Sequence, residues 1–295
     1  LKEIFLHLTE QKLIDPFPSI TFNESIDEES FDVDLRDIQG QEYVKRAVEV
    51  AVAGGHNVLL KGPPGAGKTL IAKTLPSLTP PLSFEEALEL TKIYSISGML
   101  DGKSIMNKRP FRNPHHTTSH VGLIGGSATP KPGEISLAHR GVLFLDEFPE
   151  FPRMVLEALR QPMEDGIVVV SRARDRVTFP ARFMLVAAAN PCPCGYYAVK
   201  MRECICAPAQ ILRYQKRLSG PILDRIDIHI DVPAVEVKKL ADRSAAAGES
   251  SFTVRTRILA AREKQLKRFK KRKTINNSEM SSRDVKELCD ISENA

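Results

Sequence analysis

Residues 62 to 69 read Gly-Pro-Pro-Gly-Ala-Gly-Lys-Thr, straight after the apolar run Val58, Leu59, Leu60 and straight before a helix-compatible stretch that opens at Leu70. Strand, glycine-rich loop and helix in that order make a cradle for a nucleoside triphosphate. Gly62, Gly65 and Gly67, with Pro63, Pro64 and Ala66 between them, let successive backbone N–H groups curl around the β- and γ-phosphates. Lys68 places a charge between those phosphates, and the Thr69 hydroxyl sits where a Mg²⁺ would lie at the helix N-terminus.

The other half of such a site reads Gly141-Val-Leu-Phe-Leu-Asp146-Glu147. A continuous apolar run suits a strand buried on both faces, and this one ends in two acids. Asp146 is placed to hold Mg²⁺ through its water shell, and Glu147 to polarise a water for in-line attack on the γ-phosphate. Taken alone, the segment also reads as an ordinary strand end with a solvated acidic pair.

The 295 residues suffice for one large α/β core and a smaller unit. No run approaches the ~18 uninterrupted apolar residues of a membrane span. The opening Leu1-Lys2-Glu3-Ile4 lacks both an initiator Met and a signal-peptide pattern, so a cytoplasmic fragment is expected. A formal net charge of +5 permits a polyanionic partner without pointing to one.

Residues 1–30 read as a linker or tail, and 31–235 as a nucleotide-binding domain. Within it, Ile38-Gln39-Gly40-Gln41 opens a helix that closes at Gly54-Gly55, and a Gly-, Pro- and His-rich insertion fills 95–135. A helix is expected over 152–165, a hairpin over 166–179, and buried strands over 182–189 and 226–232. Wholly apolar strands alternating with helices predict an α/β fold with a mainly parallel sheet covered on both faces. The small, polar run 241–251 marks a joint, after which 236–295 forms an incomplete helical unit whose stretch 253–273 is strongly basic.

These blocks, in this order, identify a relative. Together with the phosphate loop, the runs R-P-F-R-N-P-H-H-T (109–117), K-P-G-E-I-S-L-A-H-R-G-V-L-F-L-D-E-F-P-E-F (131–151), V-T-F-P-A-R-F-M-L-V-A-A-A-N-P-C-P-C-G-Y (177–196) and L-S-G-P-I-L-D-R-I-D-I-H-I (218–230) resemble the ComM/YifB group of magnesium-chelatase-like AAA+ ATPases. The resemblance implies an αβα sandwich of the phosphate-loop class, a helical lid, Mg²⁺ and ATP at subunit junctions, and a homo-oligomeric, hexameric ring. It also implies roles: Asn190 as the sensor that orients the attacking water, Arg225 as the finger that reaches a neighbour's γ-phosphate, and Ile38 and Gly40 beside the adenine. From the residues alone, Arg225 equally suits a local ion pair with Asp224 or Asp227, and Asn190 a turn before Pro191. Relatives carry an N-terminal domain resembling part of a Lon-type protease and a second sensor arginine late in the lid; neither is expected between Leu1 and Ala295.

Cys192-Pro-Cys194 and Cys204-Ile-Cys206, nine residues apart, suggest a structural Zn²⁺ held by four sulfurs; reduced thiols or disulfides are the competing readings. Arg172, Arg174 and Arg176 recur at period two on one face of the hairpin arm, suited to a phosphate backbone or to plain solvation. In hairpin-bearing AAA+ relatives the arm points to the ring's pore, and Lys131 falls in a second mobile pore element. His115, His116 and His120 read as loop packing or hydrogen bonding. The function expected is an ATP-driven ring motor on DNA, similar to the ComM branch-migration helicase. A chelatase-type motor that drives metal insertion into a porphyrin, and a non-catalytic ATP switch, are the alternatives.

Overall fold

The computed structural model describes residues 2–15, 31–102, 104–126, 130–171, 176–199, 202–234, 248–270, 272 and 274–289. Seven strands are seen: β1 (Val58–Lys61), β2 (Phe111–Arg112), β3 (Val142–Leu145), β4 (Ile167–Ser171), β5 (Arg176–Pro180), β6 (Met184–Ala189) and β7 (Ile228–Asp231). Five of them pair in the order β2-β3-β6-β1-β7, every neighbour parallel, while β4 and β5 make a separate antiparallel hairpin. The register sets Leu59 against Ala187 and Ala187 against Leu145. The carboxyl ends of β1, β3 and β6 therefore finish side by side, which is where open parallel sheets collect ligands.

Both faces of the sheet are covered, which explains why β3 and β6 are buried at every position. Alternate residues of β1, β3 and β6 face opposite ways. One face, with Leu60, Phe144 and Val186, packs against the helices Glu42–Gly54, Lys68–Leu78 and Ser251–Arg268. The other, with Leu143, Leu145 and Leu185, packs on Leu123, Ile135, Phe148, Leu156 and the hairpin base at Val168 and Phe179. A smaller cluster gathers Leu90, Ile93 and Tyr94 of the helix Phe84–Ser97 with Met106 and Leu137. No helix among the described residues is long and apolar enough to cross a membrane.

Three expectations change in detail. The helix expected over 152–165 is two short ones, Arg153–Ala158 and Arg160–Asp165. Pro162 has no N–H to give to Ala158, so one continuous ladder cannot form. Part of the 95–135 insertion belongs to the sheet, because Phe111–Arg112 is its edge strand β2, too short for alternation to reveal. Arg109 and Arg112 of that block are structural anchors: Arg109 donates to the carbonyls of Pro80, Pro81 and Arg140 and pairs with Glu86, and Arg112 forks onto Glu134. Finally, the 1–30 stretch holds a helix, Lys2–Leu8, none of whose residues is buried.

Candidate nucleotide site

The loop after β1 is shaped by its glycines. Gly65 and Gly67 have φ of +76° and +83°, a region that costs a side chain energy. Gly62 is needed for proximity, since a Cβ there would lie 2.2 Å from the Val232 carbonyl oxygen. The loop ends on Lys68, which is only 8% exposed. Its Nζ donates to the carbonyls of Gly62 (2.7 Å) and Pro63 (2.9 Å) and to Asn190 Oδ1 (3.0 Å). Burial lowers its pKa from the ordinary lysine value, and the Asp146 charge opposes that shift. A sequestered ammonium bonded only to neutral oxygens is a site built for an anion, and the positive-φ glycines leave space beside it. The residues thus fit a bound triphosphate.

Thr69 Oγ1 donates to Asp146 Oδ2 at 2.7 Å, so the loop and the end of β3 meet although 77 residues separate them. Hydroxyl and carboxylate together form a hard oxygen pair suited to Mg²⁺. Glu147 follows in the left-handed region, φ 51° and ψ 42°, with its N–H donating to Asp146 Oδ1. Such backbone is uncommon for a glutamate. Pro64 to Thr69, Leu70, Asp146, Glu147 and the Ala188–Asn190 end of β6 line one cleft of about 440 Å³. Lys68, Thr69, Asp146, Glu147 and Asn190, drawn from three strand ends, share it.

Ile38, Gly40, Gly62 and Pro63 do not line this cleft. Ile38, expected beside the adenine, follows the 3₁₀ turn Leu35–Asp37, is only 5% exposed and belongs to the same core layer as Ala66. Gly40 (φ +64°) does not line the cleft; its neighbour Gln41 donates to the Ala66 and Pro233 carbonyls and ties this segment to the phosphate loop. One contact went unread in the sequence: His116 Nδ1 lies 3.0 Å from Glu147 Oε2. The pair spans 31 positions of chain, and only its place in the N-P-H-H-T run after β2 hinted at it.

The family model described as "Magnesium chelatase, subunit ChlI" matches residues 34–240, and that of its C-terminal region matches 248–295. The chain belongs to the magnesium-chelatase-like AAA+ family. It is 48% identical over 256 residues to the protein YifB of Salmonella typhimurium, covering 87% of this chain and 49% of that one. It is also 48% identical over 254 residues to the competence protein ComM of Haemophilus influenzae, covering 86% and 49%. The chain thus spans about half the length of the curated relatives it matches. A solved structure of NtrX from Brucella abortus in complex with ADP aligns at TM-score 0.44 and 16% identity, over 67% of this chain and 37% of that one.

In this magnesium-chelatase-like chain Arg225 lies outside the cleft. Its guanidinium pairs with Glu164 and donates to the Pro221 carbonyl, so the local partner is neither Asp224 nor Asp227. Asp227 instead takes His56 and the Asn57 N–H, while Asn57 Nδ2 holds the Arg225 carbonyl. Among the proposed nucleic-acid contacts, Arg176 on β5 and Lys131 are exposed, and Arg172 and Arg174 lie outside the described residues. All four clustered cysteines come together, their sulfurs within 4.8 Å of one another.

Proposed function

We propose that this chain is the ATP-hydrolysing module of a cytoplasmic AAA+ ring motor that works on DNA, in the manner of a branch-migration helicase. The observation that carries the first part is the convergence of Lys68, Thr69, Asp146, Glu147 and Asn190 on one cleft. ATP with Mg²⁺ supplies a phosphoryl group able to transfer to water. Lys68 and the loop N–H groups bind and orient the phosphates, Thr69 and Asp146 hold the metal, and Glu147 accepts the proton of the attacking water. Asn190 has its Oδ1 on Lys68, which leaves its amide N–H₂ to orient that water.

Arg225 completes the neighbouring subunit's site in a hexamer, and the described residues from 248 to 289 belong to the lid. The close cluster of four sulfurs supports a structural Zn²⁺. Support for DNA comes from the exposed Arg176 on the hairpin, the exposed Lys131, the net charge of +5 and the similarity to a competence protein. The test is ATP hydrolysis by the complete protein with and without single-stranded and branched DNA. Stimulation by DNA, together with salt-sensitive binding, is expected; hydrolysis indifferent to both forms, with no such binding, removes the DNA assignment.

A second reading follows from the matched family model, which describes a magnesium chelatase subunit. There the same ATPase would drive metal insertion into a porphyrin through a partner. Co-purification with such a partner and no response to DNA would favour it.

A further inference from the structure

The C-terminal end of β6 leads through Asn190 and Pro191 directly into Cys192-Pro193-Cys194-Gly195, and the second thiol pair, Cys204 and Cys206, folds back onto it. The sulfur separations are 3.4 Å for Cys192–Cys194, 3.7 Å for Cys192–Cys204 and 3.6 Å for Cys194–Cys204. These lie far beyond a disulfide of about 2.05 Å. They approach the ~3.8 Å edge of a tetrahedron drawn with Zn–S bonds of about 2.3 Å.

A backbone N–H also meets the cluster: Cys192 Sγ accepts from Tyr197 at 3.3 Å. An amide on a sulfur offsets part of the surplus negative charge that four thiolates leave around a divalent ion.

The cluster also touches the nucleotide site. Gly195 (φ +85°) packs so tightly on the phosphate loop that a Cβ there would sit 2.4 Å from Pro64 Cδ. Pro191, between Asn190 and Cys192, has its carbonyl held by Gln215 Nε2 at the end of the helix Pro208–Gln215, whose Tyr214 is buried. Pro64 and Asn190 both line the cleft.

We propose that Cys192, Cys194, Cys204 and Cys206 hold Zn²⁺ in a closed tetrahedral cage, and that this cage is the buttress fixing Pro64 and Asn190, so that metal occupancy governs affinity for ATP. The coupling, though not the metal site, rests on reading the cleft as an ATP site.

Two readouts on the purified full-length chain separate these parts. Metal analysis should give about one zinc per chain, lost in the double variant Cys204→Ser/Cys206→Ser and retained in Cys289→Ser. Binding of a fluorescent ATP analogue should weaken about ten-fold on zinc removal by a chelator, the equivalent of roughly one charge-assisted hydrogen bond, and recover when Zn²⁺ is added back. Circular dichroism follows the fold, and helix content lost with the metal should return with it. Absence of zinc above background overturns the cage. Full zinc with ATP affinity unchanged on its removal overturns the buttress, as does a loss of affinity that added Zn²⁺ fails to reverse. Because zinc content is read without nucleotide, a chain that binds zinc and no ATP would sink the function proposed above and the coupling, but not the cage.

Discussion

Lys68 is costly to bury and is held by neutral oxygens alone, so its contribution to folding is small and its contribution to phosphate binding large. Replacing it with alanine should weaken ATP binding by about 100-fold, the scale of one or two charge-assisted hydrogen bonds, with little loss of thermal stability. Equilibrium titration with a fluorescent nucleotide and a melting curve read the two effects separately. Glu147 sits one position beyond the Thr69–Asp146 pair, in left-handed backbone at the cleft. Glu147→Gln keeps the shape and removes the proposed base. Turnover should fall by at least ~100-fold while nucleotide affinity stays within about two-fold. A variant that lost binding and turnover together would move Glu147 from proton acceptance to binding.

One buried histidine joins several elements. His139, in the turn before β3, accepts the Arg182 N–H on Nδ1 and so carries its proton on Nε2, which faces Glu89 of the helix Phe84–Ser97 at 3.1 Å. Burial lowers its pKa from 6.5 to about 4, against the pull of Glu89. The unfolded chain takes up a proton near 6.5 and the folded chain only near 4. Stability is therefore full above pH 6.5 and falls as pH drops through that window, by up to about 3 kcal/mol. His139→Asn keeps an acceptor near Nδ1 and should flatten the acid limb of a plot of unfolding free energy against pH. An unchanged slope would place the acid sensitivity elsewhere.

The helix Ser251–Arg268 shows how composition can mislead about an element. Its basic run reads as a solvated surface, yet Arg255 is buried and donates to Ser77, Arg257 bridges Glu49 and Glu249, and Arg262 donates to the Val52 carbonyl. Ser251 Oγ accepts the Leu35 N–H, and Val254 and Ile258 enter the main core layer. Much of that charge is spent inside the chain.

For the assembled protein, the position of Arg225 makes a distinct prediction. It lies outside its own chain's cleft and pairs with Glu164, so in the ring proposed above it would serve a neighbouring subunit's phosphate. Arg225→Ala and Glu147→Gln proteins should each be inactive, since one lacks the donated guanidinium and the other the base. Mixed rings contain junctions where an intact Glu147 faces an intact Arg225, so mixing should restore ATP hydrolysis well above the sum of the two alone. Activity that merely adds would argue against a shared site.

Much of this was legible along the chain. Eight consecutive residues specify the phosphate loop through backbone geometry that few other sequences tolerate, and unbroken apolar runs announce strands buried on both faces. Such features depend on neighbours in sequence, so local chemistry suffices to read them. The sequence pointed to Thr69 and Asp146 sharing a site, while the tertiary structure decided that they touch and that Lys68 meets Asn190, His116 meets Glu147 and the cysteine segment meets Pro64. Which distant side chains meet is a matter of how strands order and helices cover them, and that is a property of the packed core rather than of any segment within it.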